Sequence, residues 1–133
     1  MRVTVFVKAT AEGETGALLP FDLMEAMGRI NADLAPARTL QGHGEGLKPS
    51  SPAVRVRFDG ADRSVSNGTF GPPESLVAGC WIWRVADMAE VIASARRCPN
   101  PMPGPSDIEI PPIYELADLA QLLGGGAQLA TCA

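Results

Sequence analysis

The chain begins with strict alternation. In "RVTVFVKA", Val3, Val5 and Val7 fall on one face and Thr4, Phe6 and Lys8 on the other, the period-two pattern of a half-buried strand. "TAEGETGALLP" is polar and glycine-bearing and reads as a loop. From Pro20 the period becomes helical: Leu23, Met27, Ile30 and Leu34 recur on one stripe, and Pro36 stops the run. "TLQGHGEGLKPSSP" carries three glycines in five residues and predicts only a short strand at 39–41. "AVRVRFDGADRSVSNG" reads as a hairpin turned at Asp59-Gly60, with Val54, Val56 and Phe58 facing away from Arg55 and Arg57. "GCWIWRV" is a strand with Trp81, Trp83 and Val85 opposite Cys80, Ile82 and Arg84. Asp87 and Glu90 have capping-box spacing and open a helix with Met88, Val91, Ile92 and Ala95 on its apolar stripe. Arg96 and Arg97 suit its C-terminal end. "SDIEIPPIYE" is a last strand, placed at an edge by prolines that cannot donate to a ladder. "LADLAQLL" reads as a short helix, and the glycine-led end as a loose tail.

The order strand, helix, strand, strand, strand, helix, strand predicts an α+β fold: a ferredoxin-like antiparallel sheet with two helices on one face. Two helices cover only one side of such a sheet. The other side is expected to carry Trp or Phe mixed with arginines, and to pack against the same face of a second copy as a homodimer. Any cavity then lies between the sheets or between sheet and loops. Residues 1–119 are read as the domain and 120–133 as a C-terminal tail.

Composition narrows the function classes. A net charge of −4 argues against a phosphate-neutralising, nucleic-acid-binding surface. Cys80, Cys98 and Cys132 lack metal-ligand spacing, and their odd number argues against a disulfide framework, which points to a reducing, cytoplasmic setting. No metal or cofactor motif is present. No run reaches the ~18 apolar residues of a spanning helix, so no membrane partner is expected.

Few residues suggest chemistry. His43, the only histidine, lies in the glycine-rich stretch and reads either as a general acid or base at a pocket mouth or as a solvated loop residue. Glu45 could orient it, act alone, or be surface. The spacing of Gly42, Gly44 and Gly46 matches neither a Walker loop nor a dinucleotide fingerprint. Arg57, with Arg55 beside it, is the best anion anchor if that hairpin face lines a cavity, and a solubilising residue otherwise. Trp81 and Trp83 read as core or interface packing, with an aromatic ligand wall as the alternative. Phe70 is expected to enter the core.

"LQGHGEGLKPSSPAVRVRF", "SVSNGTFGPPESLVAGCWIWRV", "RRCPNP" and "IEIPPIYELADL", taken in order, resemble the YCII-related proteins, in the branch named after its Asp-Gly-Pro-Phe motif. The resemblance runs from Met1 to about Leu119. It implies a dimeric α+β barrel of ferredoxin-like protomers. That superfamily includes muconolactone-isomerase-like and monooxygenase-like proteins; some family members are tied to dehydrochlorination-type lyase chemistry, and some relatives accompany alternative sigma factors. The signature aspartate falls on Asn67 and its proline on Thr69, while Gly68 and Phe70 match. The acidic, Thr/Ser, Lys, Glu run that usually follows is here Pro72, Pro73, Glu74 and Ser75. Asparagine cannot replace a carboxylate as a base, though it keeps a turn role. Glu74 is a candidate replacement acid or a surface residue.

Two functions follow as expectations. One is a cofactor-independent lyase or isomerase for a small anionic or aromatic compound, with Asn67, His43, Glu45 or Glu74 at the reacting centre and Arg57, Arg55, Phe70 and Trp83 binding substrate. It requires Asn67, His43 and Arg57 to converge. The other is a ligand-binding or regulatory accessory dimer without turnover.

Overall fold

The computed structural model describes residues 1–16, 25, 28–29, 40–102 and 104–124. Strand β1 (Arg2–Lys8) leads into a single helical turn, α1 (Ala11–Glu14). This turn stands where a loop was expected. Thr10 caps it by accepting a hydrogen bond from the Gly13 N–H at 3.1 Å, which satisfies one of the donors a helix start leaves open. The helix expected from Pro20 lies outside the described residues except for Glu25, Gly28 and Arg29, which are helical.

Strand β2 (Leu40–Gly46) follows, then a hairpin of β3 (Val54–Asp59) and β4 (Asp62–Asn67), a 3-10 turn at Pro73–Ser75, and β5 (Val77–Arg84). Helix α2 (Met88–Arg97), the two-residue strand β6 (Ile108–Glu109) and helix α3 (Leu116–Leu123) complete the chain order. The main sheet has the order β2-β5-β1-β6 with all neighbours antiparallel. The molecule is α+β, with an antiparallel sheet compatible with a ferredoxin-like arrangement. Helix α3 crosses the 119/120 division between domain and tail.

The alternation read in β1 and β5 becomes the core. Val3 pairs with Trp83 and Val5 with Trp81, so valines and tryptophans stand side by side on one face. With Val7, Val85 and Val91 of α2 they form the buried cluster. The tryptophan rings stack with centroids 5.9 Å apart. Burying such rings removes large apolar area from water, the main stabilising contribution here. The tryptophans therefore belong to the covered face. The opposite face carries Thr4, Phe6, Cys80 and Ile82 with Lys8 and Arg84.

Three expectations are corrected. The glycine-rich segment is strand through Gly46, because it pairs with β5 from Leu40↔Trp83 to Gly46↔Gly79. Its register slips between Gln41 and Glu45, leaving 42–44 opposite Trp81. A Cβ on Gly44 would overlap the Trp81 indole, so the bulge needs glycine there. Second, among the described residues the hairpin pairs with no other strand, and it is exposed along both of its own. Third, α2 buries Val91 and Ser94 and packs Ala95 on the core, while Met88 and Ile92 stay exposed. Asp87 caps its start as expected, Oδ1 accepting from Glu90 N–H at 2.9 Å, but Glu90 Oε2 accepts from the Ala86 N–H at 2.6 Å rather than from the Asp87 N–H of a full capping box.

At the edge, β6 is short, and the proline segment continues beside β1 through single contacts: Thr4 N–H donates to Pro111 O and Ile113 N–H to Arg2 O. Arg2 then holds α3 in place. Its backbone N–H and Nε donate to Glu115 Oε1 at 3.1 and 3.0 Å, and Nη2 to Oε2 at 3.4 Å.

Candidate functional site

The structure places the sequence-derived candidates apart from one another. Glu45 is exposed on β2 opposite Cys80. His43 lies in the β2 bulge, and its side chain is outside the described residues. Glu74 is exposed in the 3-10 turn. Asn67 is exposed at the end of β4 opposite Val54, so it shares the hairpin face of Val54, Val56 and Phe58. Arg55 and Arg57 pair with Ser66 and Ser64 and occupy the other face. Asn67 and Arg57 thus point away from each other.

One pair is brought together. The Arg55 guanidinium lies over the Phe70 ring, 4.4 Å from its centroid, and donates to Phe70 O at 3.3 Å. Phe70 is half-buried beneath the arginine and stands outside the core cluster it was expected to join. Trp83 is fully buried in that cluster, which removes it from any ligand wall.

Sequence reading missed a cleft beside Trp81. It has a volume of about 260 Å³ and lies where β5, the end of α2 and the approach to β6 meet. Its lining includes the apolar Trp81, Ala95 and Ile108 and the polar Cys98, Asn100, Ser106 and Asp107. Residues 98–101 and 106–108 shape one side of it. Pro99 follows the C-cap residue Cys98 and cannot extend the helix. Asn100 then ties the loop: its Nδ2 donates to Gly104 O at 2.6 Å, and its Oδ1 accepts from Met102 N–H at 3.0 Å and Ser106 Oγ–H at 2.5 Å. The Lys8 N–H donates to Asp107 O at 3.0 Å and fixes the next residue to β1. The Cys98 thiol donates to Ser94 O at 3.5 Å. Burial pushes its pKa up, partly offset by the Arg97 charge.

A second, shallower cleft of about 530 Å³ lies between residues 112–114 and α3. Its carboxylate, Asp118, already accepts the Glu115 N–H at 2.9 Å. Of the sequence-derived candidates, Trp81, weighed as a ligand wall, lines the first cleft, whereas Glu45, Glu74, Asn67, Arg55, Arg57, Phe70 and Trp83 line neither. Only tertiary contact sets this loop against Trp81.

No protein-family profile and no curated protein matches the chain. Among the described residues, no helix is long and apolar enough to cross a membrane.

Proposed function

We propose that this chain is a homodimeric small-molecule-binding protein of the YCII-related kind, with the dimeric α+β barrel assembly that resemblance implies. It acts by holding a ligand rather than by turning one over. The observation that carries the reading is the cleft at Trp81, whose lining combines apolar Trp81, Ala95 and Ile108 with polar Cys98, Asn100 and Ser106. Small-ligand sites have this make-up, and this one is slightly smaller than the ~300 Å³ at which their usual range begins. The lyase or isomerase reading has less support, because Arg57 and Asn67 leave opposite faces of the hairpin. A base and a charge anchor that act on one substrate must lie within reach of the same atoms.

Exposed apolar surface supports the second copy. Val54, Val65 and Phe58 are 58%, 68% and 71% exposed on one hairpin face, and Ile82 is exposed on the outer side of the sheet. A two-stranded hairpin is only marginally stable by itself in water, so contact with another surface would stabilise it. The unpaired thiols of Cys80 and Cys98 agree with a reducing, cytoplasmic setting.

The test is a fragment screen followed by the indole N–H signals of Trp81 and Trp83 in two-dimensional NMR, with light scattering on the same sample. Saturable movement of the Trp81 signal and two chains per particle are expected. A screen in which that signal never moves overturns the binding assignment. A single chain at high concentration overturns the assembly, and turnover in a lyase panel overturns the non-catalytic role.

A further inference from the structure

We infer that the polar face of the β3–β4 hairpin is a binding site for a phosphate monoester group. This goes beyond the proposed binding at Trp81 and does not rest on it. The register sets Arg55 opposite Ser66 and Arg57 opposite Ser64, so two guanidinium groups and two hydroxyls share one face of the ribbon. All four residues are exposed. Same-face neighbours lie about 7 Å apart along a strand and roughly 5 Å apart across a pair, a patch that one tetrahedral anion can span between two long arginine side chains. Arg55 is held in place: its guanidinium lies over the Phe70 ring, 4.4 Å from the centroid, and Nη2 donates to Phe70 O at 3.3 Å. Stacking covers a face of the planar group rather than its edge, and arginine has five N–H donors to distribute. Arg57 takes part in neither ion pair among the described residues.

The third arginine of the hairpin is used differently. Arg63 stands on the opposite face, where Nη1 donates to Gly60 O at 2.8 Å and to Asp62 O at 2.7 Å and secures the turn. That opposite face holds Val54, Val56, Phe58 and Val65, the apolar surface suited to a second copy, so the polar face is left toward water. The other charged side chains on the polar face are Asp59 and Asp62, which pair at the turn end. The face is thus positive at its base and negative at its tip, and an anion is directed to Arg55 and Arg57. A phosphate monoester brings three strong acceptor oxygens, matches the arginine fork, and has capacity left for the serine hydroxyls. A carboxylate, with two oxygens, meets fewer of these donors. A single exposed ion pair contributes little, whereas one group shared by two guanidiniums and two hydroxyls forms a network.

Methyl phosphate and acetate carry no ring, so they probe the hairpin without filling the apolar cleft. Each is titrated into the full chain at constant ionic strength, and the arginine Nε–H and the backbone amide signals of β3 and β4 are followed by two-dimensional NMR. Saturable movement at Arg55, Arg57, Ser64 and Ser66 is expected, with methyl phosphate roughly fivefold or more tighter than acetate. Arg57→Gln should weaken methyl phosphate by roughly fivefold or more. Asp59→Asn together with Asp62→Asn should tighten it. Arg96→Gln with Arg97→Gln removes two charges from the exposed end of α2 and should change it by less than about twofold, because salt screens separate surface charges. Acetate binding as tightly as methyl phosphate, a response that survives Arg57→Gln, or an equal loss in the α2 variant overturns the site. Any of these leaves the cleft at Trp81 as it was.

Discussion

Gly44 lies directly against Trp81: a Cβ at position 44 would overlap the indole nitrogen and the adjacent ring carbon. The β2 bulge and the tryptophan are thus two halves of one packing arrangement. Trp81 is 5% exposed and stacked on Trp83, so it cannot swing aside to admit a methyl group. Gly44→Ala is expected to destabilise the fold by roughly 1–3 kcal/mol, the usual cost of overpacking a filled interior. Urea denaturation followed by tryptophan fluorescence measures it. A midpoint equal to that of the unmodified chain would show that β2 stands away from Trp81.

The face of α2 that meets the core can be read by substitution. Val91 is 1% exposed and Ile92 52%. Val91→Ala should cost about 1–3 kcal/mol through lost burial and a residual cavity. Ile92→Ala, though it removes more carbon, should stay within about 0.5 kcal/mol. The reverse order would mean that the helix is rotated to the stripe read from sequence.

Acid should loosen the C-terminal helix. Hydrogen bonds and charge from Arg2 hold the Glu115 carboxyl below the ordinary glutamate range. A lowered folded-state pKa gives stability that is complete above the unfolded value and disappears as pH falls through the folded one. The stability difference between the unmodified chain and Glu115→Gln should be largest near neutral pH and close up below the ordinary glutamate pKa. Denaturation midpoints from pH 7 to pH 3 test this, and a constant difference would exclude Arg2 as the cause.

Phe58 separates fold from assembly. It is 71% exposed, with the Arg63 guanidinium 4.7 Å from its ring centroid. Phe58→Ser together with Val65→Ser should change protomer stability by less than about 1 kcal/mol. In the proposed dimer the same pair weakens self-association. Sedimentation of the variant at several concentrations shows whether the hairpin takes part in pairing.

Cys98 should react as a shielded thiol. Burial raises its pKa, so less thiolate is present at a given pH. In a chain carrying Cys80→Ser and Cys132→Ser, the pH profile of alkylation should lie above that of a free cysteine. A profile at or below the free value would mean that the Arg97 charge outweighs burial.

Locally encoded features could be read directly. The β1 and β5 alternations, the hairpin turned after Asp59, the Asp87 cap and the edge position of the proline-flanked β6 all depend on side-chain period, turn chemistry or missing donors within a few residues. The candidate site was far less legible. His43, Asn67 and Arg57 were chosen for what their side chains can do, and capability does not place them together. The cleft was missed because Trp81 on β5 and the stretch from Cys98 onward are separate parts of the chain that meet only when the sheet is assembled.

The sequence alone determined the antiparallel α+β character, the strand faces that hold Val3, Val5, Trp81 and Trp83, and the ends of α2. Those follow from backbone geometry and from the chemistry of neighbours along the chain. Tertiary structure decided that the tryptophan face is the covered one, that glycine-rich β2 is a strand, that among the described residues the hairpin joins no other strand, and that α2 buries Val91 and Ser94. Each depends on which surface meets which, and burial and strand pairing across long sequence separations outweigh the local preferences a short stretch can express.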